Sequence, residues 1–504
     1  MLDSVCRESY GQAEVTVAAV VILIKAFVPS LPVCYNKRRW GNGKQVNIID
    51  ELVQIVGQER ASHDKTVLYT YSRDASLITG MPDYVVRPVT TEEVAEIVSL
   101  AAKHRIPIVP RGIGSGLEGG CVPVHGGIVL DMRNMDKIID IDTDSLYAIV
   151  EPGVTHANLN ARLAEHGFFF APDPASTDFC SIGGMIGTNA SGMTCLKYGD
   201  TRNSVLGLEV VLPDGTVINT GSKTLKSVSG YDLTALFVGS EGTLGVITKA
   251  ILKVLPQPQA RATVAAYFDE IGKTGETVVA IFASGIIPAA CELMDRSAIK
   301  AVNQYKPEIA LPDVDGMLIL NLEGSAATVA EEVAGVVNCC KKVGALDVRT
   351  ASTKEETDAL WAGRRSVLSS IYRLDAKKAA PNIAGDYGVP LKRIAEVLRE
   401  VRRISKESGI TIITYGHVGD GNLHTGMAVN LLDEKELEGA ERAGDAIYEA
   451  VLKLEGTTAP EHGVGASKLR WIKEENKSSY PLMLSIKKLF DPLNIMNPGK
   501  LFET

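Results

Sequence analysis

The chain of 504 residues is long enough for two or more core-forming units at about 100–200 residues each. Its 45% hydrophobic and 22% charged content is that of a globular protein, and a net charge of −9 without a dense Lys/Arg run argues against nucleic acid as a partner. Eight cysteines with no CxxC spacing write neither a zinc ribbon nor an iron–sulfur cluster, and they fit free thiols in a reducing cytoplasm.

Residues 1–45 read as a leader. Val15–Val33, "VTVAAVVILIKAFVPSLPV", is the one strongly apolar stretch, but Lys25, Pro29 and Pro32 interrupt it, and Asp3, Glu8 and Glu14 stand where a signal peptide carries positive charge. A poorly ordered segment is expected, with a weak membrane anchor left open. Residues 46–257 form a first domain. A strand ending near Arg87, a helix opened by a Thr90…Glu93 capping box and a strand before Pro110 make a β-α-β unit. Strands follow at "GGIVLDM" and "YAIVEPG", a helix near His156 to His166, a glycine-rich middle from Ser181 to Gly192, and strands at "LGLEVVLPDGTVI" and "GTLGVITKAILKVLP". After Pro256-Gln257-Pro258, residues 258–456 alternate strands with amphipathic helices, which suits a second α+β domain with helices on one face of a sheet. The tail, 457–504, returns to glycine-rich loops and folds back onto the first domain.

Two segments carry chemistry. In "GHVGDGNLH", Gly416 to His424, β-branched flanks predict two strands, and Asp420-Gly421 is a favoured two-residue hairpin turn. Around that turn His417 pairs with His424, with Cβ atoms about 4.5–5.5 Å apart, close enough for both rings to share an ion. A pair of surface histidines is the plainer alternative. In "PRGIGSGLEGG", Gly114-x-Gly116-x-x-Gly119 has the form of a dinucleotide fingerprint, but "GCVPVHGGIVLDM" follows it and no helix can open there. The five glycines more readily form a backbone nest for phosphates, with Arg111 and Ser115 helping.

These motifs, with "APDPASTDFCSIGGMIGTNASGMTCLKYGDTRNSVLGLEVVLPDGTVINTG", "GYDLTALFVGSEGTLGVIT", "EHGVG" and "IMNPGKLF", resemble the FAD-linked oxidases of the vanillyl-alcohol oxidase type, on the side of glycolate oxidase FAD subunits and D-lactate and D-2-hydroxyglutarate dehydrogenases. The resemblance runs from about residue 47 to 504. It implies an α+β fold: a PCMH-type FAD-binding domain of two α/β subdomains, drawn from both ends of the chain, with an inserted ferredoxin-like cap. It also implies FAD contacts. Pro110, Arg111, Gly112, Ile113, Gly114, Ser115, Gly116 and Leu117 would wrap the pyrophosphate, while Asp173, Ser176, Thr177, Gly183, Gly184, Thr188, Asn189, Ser191 and Gly192 would line the flavin and its ribityl chain. Glu241, Gly245 and Ile247 fall to the adenosine side, and Asn497 closes the site from the tail. Ser115 stands where many relatives carry a flavin-linking histidine, so bound FAD is expected to be noncovalent.

The same resemblance makes His417, His424 and Glu461 ligands of a divalent metal, a set suited to zinc as a Lewis acid, and makes His462 the base that takes the hydroxyl proton of a 2-hydroxy acid. Glu461 and His462 are adjacent, so both roles require an irregular loop, for which Gly463 and Gly465 provide. Arg364, in "LWAGRRSVL", would bind the substrate carboxylate, with Arg365 as the alternative and Lys197 and Arg202 as weaker cations. The implied activity is oxidation of a D-2-hydroxy acid to the 2-oxo acid, with electrons leaving to a quinone, cytochrome, electron-transfer flavoprotein or iron–sulfur subunit. A homo-oligomer at the inner face of the membrane or free in the cytoplasm is expected. Two other readings stand beside it: a non-redox flavoenzyme like alkyl-dihydroxyacetonephosphate synthase, and a noncatalytic flavoprotein subunit.

Overall fold

The helix Thr91–His104 of this computed structural model, which describes residues 47–503, buries Val94, Ile97, Val98 and Ala101 on one face; the Thr90 hydroxyl accepts from Glu93 N. The box is not reciprocal, because the Glu93 carboxylate turns instead to Val89 N and to the Arg60 guanidinium. This helix joins strand Tyr84–Val86 to Ile108–Arg111, and both lie parallel to Ile128–Asp131 between them, completing the β-α-β unit, with Ala61–Ser62 antiparallel at the far edge. Pro110 falls in an edge strand, where a missing N–H costs no ladder bond. No helix opens between Arg111 and Ile128, so the glycines there serve no dinucleotide-type turn. The segment Val15–Val33 lies outside the described residues.

A second sheet is antiparallel, in the order Ile138–Asp142, Tyr147–Val150, Val246–Lys253, Val205–Val211, Val217–Gly221. Short helices Ile182–Thr188, Cys195–Tyr198 and Thr201–Ser204 stand before it. The tail returns to the first sheet: Ile108 N donates to Ile495 O and Asn497 N to Ile108 O, while Ile495 and Met496 enter the same core as Ile97 and Ile128.

The third sheet has seven strands, all antiparallel: Asp347–Ala351, Ala260–Phe268, Gly316–Gly324, Ala290–Asp295, Ile412–Gly416, Asn422–Met427 and Tyr387–Gly388. Helices Gly272–Ala283, Ala326–Val343, Ile394–Ser408 and Glu434–Lys453 contribute to the core on one face, and Arg296–Tyr305 and Lys354–Ile371 to a separate core. Helices therefore cover both faces, not the single face expected. The central strands explain this: "GMLILNL" and "ACELM" are buried at nearly every position instead of alternately, as a sheet sandwiched on both sides requires. Among the described residues no helix is long and apolar enough to cross a membrane.

Candidate active site

Tyr415, not His417, faces His424 across the hairpin. The expected two-residue turn is a five-residue loop, His417 to Gly421. Contacts with its neighbours hold that loop out of the tight turn. Gly419 N donates to Cys291 O, Val389 N donates to Gly421 O, and a Cβ on Gly421 would stand 2.1 Å from Val389 O. His417 nevertheless comes back to His424, with ring centres 5.1 Å apart and planes at 90°.

Hydrogen bonds fix how the two rings point. His424 Nδ1 lies 3.2 Å from Gly385 O, which only accepts, so that nitrogen carries the proton and Nε2 is bare. His417 Nδ1 lies 2.6 Å from Glu292 Oε1. Both Nε2 atoms aim at one oxygen, Glu461 Oε2, at 3.3 Å from His417 and 3.5 Å from His424. That oxygen is buried and has no hydrogen-bond partner. A tetrahedral ion with bonds of about 2.1 Å separates its ligands by about 3.4 Å, so the carboxylate oxygen stands at that spacing from each ring nitrogen. Asp386, His424, Glu461 and His462 also each bring one donor atom within 4.8 Å of one another. Burial works to raise Glu461, yet His417 and His424 outweigh it and hold the carboxyl near 2, whereas burial and then the charge of His417 push His424 down to about 4. Against burial, Glu292 and Glu461 keep His417 well above its usual value.

The loop bearing Glu461 and His462 is irregular, with Gly463 at φ +81° and Gly465 at φ +54°, and both side chains reach the same site. His462 stacks on His424 at 5.1 Å and 9°, and its buried Nδ1 makes no hydrogen bond but lies 3.9 Å from Asp386 Oδ2. One wholly buried carboxylate, Asp386, sets this loop against the hairpin: it accepts from Glu461 N, from His462 N at 2.9 Å and from Asn422 Nδ2 at 2.8 Å. Buried Lys468 balances its charge and that of Glu118. Burial opposes, but His462 and Lys468 hold Asp386 well below the carboxylate range. From the first domain, Glu241 accepts from Val464 N at 2.7 Å and Gly465 N at 2.8 Å, and burial raises it to about 7.

Arg364 lies beside the pair. Its Nε and Nη2 both donate to Glu292 Oε2, at 2.8 and 2.6 Å, and its guanidinium sits 5.1 Å from the centre of the Tyr415 ring, leaving Nη1 without a partner among the described residues. Arg365 turns outward to Asp358. Lys197 donates to Glu323 O and Arg202 to Val238 O.

The glycine segments converge from the other side. A Cβ on Gly112 would stand 2.2 Å from Ser181 Oγ, and Ser181 caps the helix holding Gly183, Gly184 and Thr188. Gly187 O, in that helix, accepts from Glu241 N. Asn189, left-handed at φ +54°, has its amide bound to Asp200 Oδ2 and Arg202 N. Asp173 packs against Gly192 and accepts twice from Thr194, and burial raises it to about 6. Asn497 Nδ2 donates to Gly120 O and Glu241 O, while its Oδ1 is buried and unpartnered. Ser191 lines a cleft of about 640 Å³ with Asp420, Asn422 and Pro460, beside the histidine hairpin. Ile113 and Gly116 are open to solvent; Leu117 O accepts from Asn382; Ser115 is half-buried. The guanidinium of Arg111 donates to Arg73 O and Cys121 Sγ and lies 5.6 Å from the centre of the Tyr71 ring. Thr177, next to Ser176, bonds His156, Gly245 packs on Val210, and Ile247 pairs inside the second sheet.

Sequence reasoning missed Glu292 and Asp386. Glu292 did leave a signal, a charge within an apolar strand that burial obliges to be paired. Asp386 left none.

Residues 82–221 match the profile of the FAD binding domain and 257–501 that of the FAD linked oxidases, C-terminal domain. The glycolate oxidase subunit GlcD of Bacillus subtilis is 40% identical over 459 residues, covering 90% of this chain and 97% of that one. The chain belongs to the FAD-linked oxidases. It is therefore an FAD-linked oxidoreductase. A D-lactate dehydrogenase of Archaeoglobus fulgidus, 38% identical over 421 residues, covers 83% of this oxidase and matches over 90% of its own length. In fold the oxidase is similar to p-cresol methylhydroxylase with substrate bound, at TM-score 0.76 and 19% identity over 90% of this chain and 96% of that one. It is also similar to alkyldihydroxyacetonephosphate synthase, at TM-score 0.70 and 22% identity over 92% and 88%. The fold is thus of the PCMH type, an α+β architecture.

Proposed function

We propose that this FAD-linked oxidase converts a small D-2-hydroxy acid, of the lactate, glycolate or 2-hydroxyglutarate class, to its 2-oxo acid and passes the electrons to a separate acceptor. The observation that carries the reading is the convergence of His417 Nε2 and His424 Nε2 on the unpartnered Glu461 Oε2. The curated relatives named glycolate oxidase subunit and D-lactate dehydrogenase support the substrate class.

His417, His424 and Glu461 fit a divalent ion by donor set, zinc by ligand type, with Glu461 Oε2 at ligand spacing from both ring nitrogens. Glu292 and Glu461, which favour positive charge on His417, would favour a cation at the same place. When bound, it supplies Lewis acidity that eases loss of the hydroxyl proton, and the FAD supplies the acceptor for the hydride from Cα. The protein's part is positional and protolytic. His462, its Nδ1 without a hydrogen bond and 3.9 Å from Asp386 Oδ2, takes the hydroxyl proton, and its stacking on His424 keeps it beside the ligands. Arg364 Nη1 binds the substrate carboxylate, while the other side of its guanidinium is fixed by Glu292. Asp386 holds the backbone of Glu461 and His462, so ligand and base move as one. Glu241 and Asn497 tie that loop to the glycine segments against which FAD binds.

The test is steady-state reduction of an artificial acceptor by D-lactate, L-lactate, glycolate and D-2-hydroxyglutarate, using protein as isolated, stripped with chelator and restored with zinc. Turnover with a D-acid or with glycolate that vanishes on stripping and returns with zinc is expected. Full turnover after stripping, or none with any acid, overturns the reading.

A further inference from the structure

We propose that Glu292 is a positioning residue that couples the metal ligand to the substrate-binding arginine, setting the metal affinity and the carboxylate site together. The inference rests on the function proposed above. Glu292 lies in strand Ala290–Asp295, next to the strand that leads into the hairpin, with Leu293 paired to Gly416. It is wholly buried, and a buried carboxylate without partners would be costly. Its two oxygens go to different partners. Oε1 takes the Nδ1 of His417 at 2.6 Å, and Oε2 takes Nε and Nη2 of Arg364 at 2.8 and 2.6 Å.

This is more than an ion pair placed for stability. A metal-ligating histidine whose distal nitrogen donates to a carboxylate is held in one ring orientation and made a better donor, and loss of such a partner typically weakens metal binding about 10- to 100-fold. The carboxylate of Glu292 stands in that relation to His417. Because the opposite oxygen anchors Arg364, the carboxylate cannot shift toward one partner without leaving the other. Arg364 is thereby presented by Nη1 alone, with its Cζ 5.1 Å from the centre of the Tyr415 ring, and Tyr415 is the cross-strand partner of His424. Glutamine cannot serve both partners: its oxygen can accept from His417, but its amide then meets the donors of Arg364, and turned round it meets His417 Nδ1.

The experiment compares FAD-loaded wild type, Glu292→Gln and Glu292→Asp. Zinc affinity is measured without substrate, by equilibrium dialysis against chelator-buffered zinc, and KM and kcat for the best D-acid are then measured at saturating zinc. Glu292→Gln is expected to bind zinc roughly 10- to 100-fold more weakly with an unchanged flavin spectrum. Its KM should rise about tenfold while kcat falls less, since a charge-assisted contact to Arg364 is lost. If Glu292→Gln does not fold, Glu292→Asp keeps the charge, and its shorter reach should still weaken zinc about threefold. A lower unfolding temperature with wild-type zinc affinity and KM would make Glu292 a purely structural ion pair and overturn the proposal. Wild type that takes up no zinc removes the metal reading itself, and the proposal with it, before any variant is compared.

Discussion

Replacing Asp386 by asparagine removes the charge at the centre of the site with almost no change of shape. Asp386 Oδ2 accepts from Glu461 N at 3.2 Å and His462 N at 2.9 Å and lies 3.5 Å from Lys468 Nζ, while Oδ1 accepts from Asn422 Nδ2 at 2.8 Å. An asparagine has one accepting oxygen. If that oxygen faces the two backbone N–H groups, its amide meets the amide of Asn422, which cannot turn away without losing its bond to Tyr387 O. If it faces Asn422, its amide meets two backbone donors. Either way a charge-assisted bond of about 1.5–3 kcal/mol is lost and a donor is left buried. Lys468, 2% exposed, also loses one of its two counter-charges, and breaking a buried pair costs about 3–5 kcal/mol. These losses overlap, so about 3–5 kcal/mol in total is expected, roughly 10 °C in unfolding temperature for a unit of this size. Calorimetry on the FAD-loaded variant in chelated buffer measures it, and zinc dialysis should show binding weakened about 10- to 100-fold because Glu461 is no longer held. A variant that unfolds within about 2 °C of wild type and keeps its zinc affinity would refute the assignment of Asp386 as the organiser of the loop.

Three further outcomes follow from the same geometry. His417→Ala should abolish zinc-dependent turnover while leaving the flavin spectrum intact; acceptor assays in metal-free buffer check it, and full activity there would exclude His417 as a ligand. Gly421→Ala forces a residue with a side chain into φ +85° with its Cβ 2.1 Å from Val389 O, so it should destabilise by about 2 kcal/mol or more and reduce activity by displacing His417 and His424, read by thermal unfolding and turnover together. The third concerns pH. Burial raises Asp295, the cap of helix Arg296–Tyr305, to about 7, against hydrogen bonds from Ala298 and Thr414. Its folded value exceeds that of about 3.9 in the unfolded chain, so its contribution is complete below that value and is lost as pH rises through 7. Asp295→Asn should therefore flatten the fall of stability between about pH 4 and 7 in denaturant unfolding; an unchanged slope would contradict it.

The strands and helices around the β-α-β unit were legible because local chemistry decides them: the Thr90 cap, the buried stripe from Val94 to Ala101 and the exposed opposite face agree with one another. The hairpin was legible as two strands but not in register. Asp420-Gly421 favours a two-residue turn locally, and the backbone contacts of Gly419 with Cys291 and of Gly421 with Val389 override it. Nothing in nine residues announces a neighbour from another part of the sheet. The cap was misjudged for a related reason, since continuous apolar strands show that both faces are buried but do not say which helices bury them. Glu292 and Asp386 come from strands and loops distant in sequence from the histidines, and tertiary structure alone makes them partners. Arg111 was legible as a cation beside a glycine loop, but its bond to Arg73 O and its place over the Tyr71 ring were not, because both partners lie some forty residues earlier in the chain.

The central claim, a metal-assisted oxidation of a D-2-hydroxy acid on this flavoprotein, is tested most directly by the anaerobic visible spectrum of the purified protein before and after adding D-lactate, L-lactate, glycolate and D-2-hydroxyglutarate in turn, with and without prior removal of metal. The proposed function predicts that the flavin absorbance is bleached by one of the D-acids or by glycolate, which has no hand, and that stripping the metal prevents it. Flavin that stays oxidised with every acid, or that bleaches equally after the metal is removed, would contradict the account.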